Sequence, residues 1–158
     1  RSSSPRSCSR CCAAAAASPG RYAGKGLRDL GDEMWAQLRK SKQGHWQAQA
    51  YATLPKPEMT TRRAFQRLMA GDAEKVPLKE IANRVVAVGV IPYPPGIPIV
   101  MPGESIGPAD GPWLTYLRTL QEYGHLFPGF AKEVEGTEEK EDGYHIYCVK
   151  EATRRGAG

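Results

Sequence analysis

Proline constrains this chain more than any other residue, and five prolines fall between residues 92 and 104. The stretch reads Pro-Tyr-Pro-Pro-Gly-Ile-Pro-Ile-Val-Met-Pro-Gly-Glu. Each proline fixes its own φ, lacks an N–H donor and pushes the preceding residue out of the α region, which excludes a helix and a regular central strand. The sequence therefore predicts a stiff extended segment that turns at Pro95-Gly96, pairs briefly over residues 97–101 and turns again at Pro102-Gly103.

Two interpretations of this proline segment are open. One is a Pro-rich linker or a polyproline ligand for an SH3-like or WW-like partner. The other is a buried, rigid connection inside a folded domain, which the apolar run at 97–101 and the patterned flanks at 84–91 and 113–120 favour. The exposure of Tyr93 and Ile97 discriminates between them, because buried side chains favour a segment inside a folded domain and exposed ones a docking ligand.

Two further motifs accompany the proline segment. Phe127-Pro-Gly-Phe130 follows it, and Gly143-Tyr144 leads a terminal apolar strand. With these motifs, residues 27–151 resemble the C-terminal domain of bacterial ornithine/lysine/arginine decarboxylases, which are pyridoxal-phosphate (PLP) enzymes of the aspartate-aminotransferase fold type. Residues 107–112, Gly-Pro-Ala-Asp-Gly-Pro, look most like the arginine-type enzymes. Asn83, where the family pattern has glycine, and Glu135, where it has histidine, depart from it.

The resemblance implies an α+β fold of several helices and a small sheet, a fragment from the C-terminal end of a fold-type I PLP enzyme. It divides the chain into a helical segment of the preceding small domain (27–75), the C-terminal domain (76–151) and a tail (152–158). Glu104, the one acid on a preorganised turn, is expected to order that turn or a domain interface. The motif residues with an expected structural or interface role are Pro92, Tyr93, Pro94, Pro95, Gly96, Pro98, Gly103, Glu104, Phe127, Pro128, Gly129 and Phe130.

The resemblance also implies a reaction for the parent protein, the α-decarboxylation of arginine, or of lysine or ornithine. The family's Schiff-base lysine follows a histidine in a Ser-x-His-Lys motif, whereas the three histidines here are followed by Trp46, Leu126 and Ile146. We therefore predict no catalytic, cofactor-binding or metal residue in this chain, and a fragment that is catalytically silent alone. PLP would be bound by an upstream domain, the expected partner, in a parent that forms homo-oligomers. The alternative is a non-enzymatic binding or regulatory module that docks through its Pro-rich motif.

Charge, hydropathy and cysteine content limit the other functions and locations that the chain could have. The net charge of +5 resides in residues 1–26, which contain basic residues and no acid. No basic, aromatic surface of the kind that binds nucleic acid follows, and no apolar run approaches the roughly 20 residues of a membrane span. Without a disulfide framework, a reducing cytoplasm is the expected location. Cys8, Cys11 and Cys12 have no second ligand pair at zinc spacing, and Cys148 is predicted to be a small buried hydrophobe.

Residues 1–26 have the composition of a transit peptide or of a GC-rich stretch read out of frame. We favour an origin in truncation or reading frame, and expect a disordered head.

Hydrophobic spacing predicts most of the regular elements after this head. The exposed end of a hairpin is expected at 133–142, and Phe127-Pro-Gly-Phe130 is expected to hold the preceding helix against the sheet. The first predicted helix carries Leu27, Leu30, Met34 and Leu38 and breaks at Gly44. Further helices are predicted over 46–54, from Thr60 or Thr61 to Met69, over 77–82, and from Pro112 to a stop at Gly124. Strands are predicted over 85–91 and 144–149.

Overall fold

The computed structural model describes residues 19–130 and 133–151. The predictions for residues 1–18, including the three clustered cysteines, and for the tail from residue 152 lie outside the described residues. In chain order the elements are α1 (Pro19–Tyr22), α2 (Leu27–Lys40), α3 (Gln43–Ala52), β1 (Lys56–Pro57), α4 (Thr61–Met69), β2 (Ala73–Pro77), β3 (Ile91–Pro92), β4 (Glu104–Ser105), α5 (Pro112–Leu126), β5 (Val134–Glu135), β6 (Thr137–Lys140) and β7 (Gly143–Val149).

The largest sheet has three antiparallel strands in the order β2-β7-β6. Its central strand, β7, buries every side chain except that of Tyr147, because strands flank it on both sides and helices cover it. The predicted terminal strand is thereby confirmed. Two smaller antiparallel pairs, β1-β4 and β3-β5, complete the sheet structure of the described residues. The fold is the mixed arrangement of helices and small sheet that the sequence predicts.

Helix α5 supplies most of the helical contribution to the core. Pro112 occupies its first turn after the N-cap Gly111, where the missing N–H costs no hydrogen bond. The predicted stop at Gly124 is wrong, because this glycine is buried within the last turn and the helix continues to Leu126. Helix α3 packs against α5, and the indole N–H of Trp113 donates to the carbonyl of Ala50 at 3.1 Å. The fully buried side chains on α5 are Leu114, Tyr116, Leu117 and Leu120.

The predicted helix over residues 77–82 is wrong. Pro77 instead ends β2, opposite His145 on β7, with Val76 opposite Ile146, and residues 78–80 form a turn. Proline suits the last position of an edge strand as well as the first turn of a helix, so the local signal is ambiguous. The pairing surface that β7 offers decides the outcome. Strand β2 spans the predicted domain boundary between residues 75 and 76.

The helices before β2 agree better with the sequence. Helix α4 ends at Met69 as predicted, and the Thr60 hydroxyl caps it by accepting from the amide of Arg63 at 3.3 Å. The break between α2 and α3 lies at Lys42, which has a left-handed φ of 51°, and the predicted break at Gly44 is wrong. Gly44 lies inside α3, which starts three residues before the predicted start at Trp46.

Residues 85–91, predicted to form one buried strand, are extended but shared between sheets. Val86 bridges to Cys148 on β7, Val85 bridges to Ser105 on β4, and Val90 bridges to Val100. Only the end of the segment belongs to a named strand, β3, which pairs with β5. The segment changes partner every few residues because it crosses the domain from one sheet to another.

The expectation of a disordered head is wrong for residues 19–26. The Tyr22 hydroxyl donates to the carbonyl of Pro128 at 2.8 Å, and its ring meets Phe130 edge to face at 5.9 Å between centroids. Arg21 pairs with Glu33 and donates from Nε to the carbonyl of Leu126. Hydrogen bonds from Lys25 and Arg21 lower the pKa of the Glu33 carboxyl. These residues fasten the chain to the C-terminal end of α5.

No helix among the described residues combines the length and apolar character that crossing a membrane requires.

A glycine pair tests the close approach between the end of the proline segment and residue 59. Gly103 has a φ of 94°, and a Cβ there would overlap the Met59 carbonyl oxygen, whereas a Cβ at Gly31 within α2 would meet nothing within 4 Å. We expect Gly103→Ala to lower the free energy of unfolding by about 3 kcal/mol and Gly31→Ala to raise it by about 0.5 kcal/mol. Urea unfolding measures both. Equal effects would contradict a close approach of Gly103 to the Met59 carbonyl.

A second prediction concerns alkaline pH. Burial raises the pKa of the Cys148 thiol to about 12. An unfolded thiol ionises near pH 8.5, so below that pH the thiol's full contribution to the free energy of unfolding is present. The free energy of unfolding falls as pH rises from 8.5 towards 12, by about 1 kcal/mol at pH 9.5. Urea unfolding at pH 7.5 and pH 9.5 should show this loss in the native chain and a much smaller one in Cys148→Ala. An identical pH dependence in both proteins would place the effect elsewhere.

Candidate functional site

The base of the proline loop, residues 92–104, is fixed in the core. The amide of Val90 donates to Val100 at 3.0 Å, and the amide of Ile99 returns a bond to Val90 at 2.9 Å. Ile99 and Val100 are buried, and Pro92 is fully so. The short pairing predicted over 97–101 is present at these two positions. At its base, the loop is the rigid connection that the apolar run predicts.

The tip of the proline loop, in contrast, projects into solvent. Tyr93 is 42% exposed and Ile97 is 54% exposed. Gly96 has a φ of 80° and donates to the carbonyl of Pro92 at 2.9 Å, which closes the predicted turn. Both peptide bonds of Tyr93-Pro94-Pro95 are cis. By the exposure of Tyr93 and Ile97, the tip has the character of a docking surface, and the expectation of burial is wrong for this part of the loop.

The exposed tip is held in place by contacts with other elements. The amide of Tyr93 donates to the carbonyl of Glu133 at 2.8 Å, and its hydroxyl donates to Glu135 Oε2 at 3.2 Å. The latter bond raises the pKa of the Tyr93 phenol. The Tyr51 hydroxyl on α3 also donates to the carbonyl of Ile97 at 3.2 Å. Two other chain segments, residues 133–135 and α3, thus hold an exposed surface in place before any partner binds.

The loop leaves the core through Gly103 and Glu104. The Glu104 carboxylate accepts from the amide of Met101 at 2.7 Å, which ties the two sides of the second turn together. The carbonyl of Gly103 accepts from the amides of Glu58 and Met59, both at 3.0 Å. These contacts order the turn and join it to β1, which pairs with β4. Glu104 therefore acts within the loop in this structure.

The second motif, Phe127-Pro-Gly-Phe130, lies at the end of α5. Phe127 is 2% exposed and packs with Leu30 and Tyr123, and Phe130 packs on Tyr22. The expectation that this turn holds α5 against the sheet is wrong, since its partners are α1 and α2. The turn reverses direction at Gly129, which has a φ of 83°. The family-motif residues thus occupy two separate places, one loop with an exposed tip and one turn that packs helices together.

The three histidines lie on three separate elements, α3, α5 and β7. His45 and His125 are exposed, and His145 is buried with Nδ1 3.1 Å from the carbonyl of Gly143. Among residues 19–130 and 133–151, no group of three or more His, Cys, Asp or Glu side chains is placed to hold a metal ion. The arrangement is suited to binding a surface, since its defining groups are an exposed aromatic ring, an aliphatic side chain and neighbouring carboxylates.

Three residues that hold the tip in place could not be identified from the sequence. Tyr51 lies about forty residues before the loop, and Glu133 and Glu135 lie in a stretch whose composition indicates only an exposed hairpin. The acceptors of Tyr93 become apparent only when β3 pairs with β5, which places residues 91–92 beside residues 134–135. The available signal was the departure at Glu135, where the family pattern has histidine.

The family described as Orn/Lys/Arg decarboxylase, C-terminal domain, matches residues 44–150. The chain belongs to this family. It is 43% identical over 132 residues to the biodegradative arginine decarboxylase of Escherichia coli K12, covering 84% of this chain and 18% of that protein. A lysine decarboxylase of Pseudomonas aeruginosa is 38% identical over 136 residues, covering 83% of this chain and 18% of the relative. The inducible ornithine decarboxylase of Escherichia coli K12 is 34% identical over 132 residues, covering 81% of this chain and 18% of that protein.

Solved structures agree with the sequence relatives. The constitutive lysine decarboxylase of Escherichia coli superimposes with a TM-score of 0.79 at 32% identity, covering 87% of this chain and 20% of that one. Lysine decarboxylase A from Pseudomonas aeruginosa gives a TM-score of 0.78 at 36% identity, covering 85% of this chain and 19% of that one. The chain therefore spans about a fifth of the length of the proteins it matches. Its fold is that of a domain of larger decarboxylases.

The Glu104 carboxylate gives a third prediction. We expect Glu104→Ala to lower the free energy of unfolding by about 1 kcal/mol and to speed amide exchange at Met101, because the amide loses its acceptor. Glu104→Gln, which keeps one acceptor oxygen, should lose less. Urea unfolding and hydrogen exchange measure the two effects. Glu80→Ala, at an exposed site outside the loop, should change stability by less than about 0.5 kcal/mol, and an equal effect there would refute a specific role for Glu104.

Proposed function

We propose that the chain forms the C-terminal part of a PLP-dependent basic amino-acid decarboxylase whose substrate is arginine, with lysine and ornithine as the alternatives. The observation that carries this proposal is the family match over residues 44–150, together with 43% identity to a biodegradative arginine decarboxylase. Arginine is preferred over lysine and ornithine on the higher identity to that relative. The Gly-Pro-Ala-Asp-Gly-Pro run at 107–112 supports the same choice.

We place the cofactor outside this segment. When bound, PLP supplies the electron sink for the carbanion that decarboxylation leaves. It is held through a lysine, and none of the three histidines here precedes one, so the Ser-x-His-Lys motif is absent from this chain. The residues present therefore do not fit the cofactor, and the segment has no catalytic step of its own. In the proposal, the part of the protein upstream of these residues carries PLP and the substrate site.

The role proposed for this domain is to support that upstream part. The tip of the proline loop is rigid before binding, so docking it costs little conformational entropy. Its exposed Tyr93 and Ile97 form the surface proposed to face the cofactor domain. We further propose a homo-oligomeric parent in the cytoplasm. The location, though not the oligomeric state, is supported by Cys148, which is a free thiol rather than half of a disulfide.

The exposure of the tip favours a second candidate as well. An isolated domain that docks through Tyr93 and Ile97 is a non-enzymatic binding or regulatory module, and its partner is then another protein. The two candidate functions use the same surface. In the first it binds the cofactor domain, and in the second it binds another protein. They also differ in the consequence of joining the chain to a PLP domain, because only the first predicts catalysis.

A chimera gives the fourth prediction. Residues 27–151 replace the aligned C-terminal segment in two enzymes, the biodegradative arginine decarboxylase and the constitutive lysine decarboxylase of Escherichia coli. Each chimera's rate of labelled CO₂ release is expressed as a fraction of its parent's rate. We expect this fraction to be at least about tenfold higher for the arginine chimera than for the lysine chimera, because the docking surfaces match better. The purified 158-residue chain with added PLP should release none above buffer.

The controls separate the alternatives. Each enzyme truncated before the exchanged segment shows how much activity the segment restores. Chimeras that are both as inactive as the truncated enzymes would contradict the decarboxylase proposal and favour the binding module. A better lysine chimera would move the assignment from arginine to lysine, and turnover by the isolated chain would overturn its predicted silence.

A further inference from the structure

A cleft of about 350 Å³ opens where α2 meets α3, and its lining is basic. Trp35, which is 60% exposed, forms one wall, and the guanidinium of Arg39 lies 5.9 Å from its ring centroid. None of the described residues that line the cleft carries a carboxylate. We name it the basic cleft; its lining residues are Trp35, Leu38, Arg39, Lys42, Gln43, Gly44, His45 and Gln47.

The local sequence and backbone strengthen the positive character of the basic cleft. No acid occurs between residues 34 and 57, whereas Arg39, Lys40 and Lys42 fall within four residues. Helix α3 begins at the cleft with no side-chain cap and no acid in its first turn, so the partial positive charge of the helix end adds to that of the side chains. An occupant of this cleft should therefore carry negative charge and an apolar group that covers Trp35.

A second surface of the same chain has the opposite character. Tyr93 and Ile97 are exposed at the tip of the proline loop, and the exposed Glu133 and Glu135 lie beside Tyr93. We name these four residues the acidic tip. Glu133 and Glu135 belong to the stretch 133–142, which carries six acids and one lysine in all, so its net charge is negative. An aromatic ring with an acidic rim is thus held rigidly and presented to solvent.

We propose that the acidic tip of one copy docks into the basic cleft of a second copy. The charges are opposite, and each surface carries an exposed aromatic ring among residues of the kinds that dominate interface energetics, Trp, Tyr and Arg. Because tip and cleft are different patches of one chain, the contact is head-to-tail and heterologous. The small number of side chains predicts weak association, with a Kd on the order of 100 μM. The contact uses the same Tyr93 and Ile97 that the proposed cofactor domain would cover, so a copy whose tip lies against that domain cannot make it. It is therefore tested on the 158-residue chain without that domain.

Sedimentation of the full 158-residue chain under reducing conditions gives the first test. We expect concentration-dependent association that weakens at least about tenfold between roughly 50 mM and 500 mM NaCl, because screening reduces the attraction between exposed charges. A chain that stays monomeric at about 1 mM in low salt overturns the proposal, as does association that salt leaves unchanged. The first result would mean that some other partner covers the basic cleft.

Charge exchange tests the two surfaces directly. Arg39→Glu with Lys42→Glu makes the cleft acidic, and Glu133→Lys with Glu135→Lys makes the tip basic. Each double variant alone should associate at least about tenfold more weakly than the native chain, since like charges then meet. Their mixture should recover association to within about threefold of native, because each reversed surface meets a complementary one on the other variant.

A matched control distinguishes a specific contact from a change in net charge. Arg62→Glu with Arg63→Glu makes the same charge change on the exposed face of α4, away from both surfaces, and should leave association unchanged. A control that weakens association as much as the cleft variant does overturns the proposal. So does a cleft variant that still associates like the native chain, since the basic residues of 1–26 would then be the partner of the acidic tip. The variants lie at exposed positions, and circular dichroism verifies that they fold.

Discussion

The backbone of residues 85–92 is the constraint on which the rest of this domain depends. A buried peptide group must find a hydrogen-bond partner, and this segment finds its partners on three different sheets. The carbonyl of Val85 accepts from β7, the amide of Val86 donates to β4, and Ile91 pairs with β5. Because one extended segment satisfies three partners in turn, none of the small sheets is independent of the others.

The proline loop follows directly from that constraint. Its two ends are fixed by the Val90–Val100 pairing and by the bonds that Gly103 makes to Val86 and to residues 58–59. Between these anchors the prolines leave the chain almost no freedom, so its tip stays ordered although it lies in solvent. A rigid exposed tip is a surface prepared for a partner. The tip is therefore available either to the proposed cofactor domain or to the proposed contact between copies, and the two exclude each other for any one copy.

The helical layer has a separate means of attachment. Arg21 and Tyr22 reach the end of α5 and the Phe127-Pro-Gly-Phe130 turn, while α3 reaches the start of α5 through the bond from Trp113 to Ala50. Helix α5 is therefore held at both ends by elements that precede it by many residues. The buried phenol of Tyr116 lies between them, where burial raises its pKa to about 12. Ionising this group would destabilise the same packing that joins the helices to the sheet.

Features that are local in origin could be predicted from the residues alone. Proline and glycine chemistry predicted the turns of the loop, the Thr60 cap predicted the start of α4, Pro112 predicted the start of α5, and alternating apolar residues predicted β7. The family motifs identified the decarboxylase domain. Features that depend on distant partners could not be predicted in this way. Residues 73–77 form a strand because they pair with β7. Gly124 is helical because the core buries it. Residues 19–26 are ordered by contacts with Pro128 and Phe130. The acidic tip likewise exists only because β3 pairs with β5 and brings Glu135 to Tyr93, a proximity that no local pattern encodes.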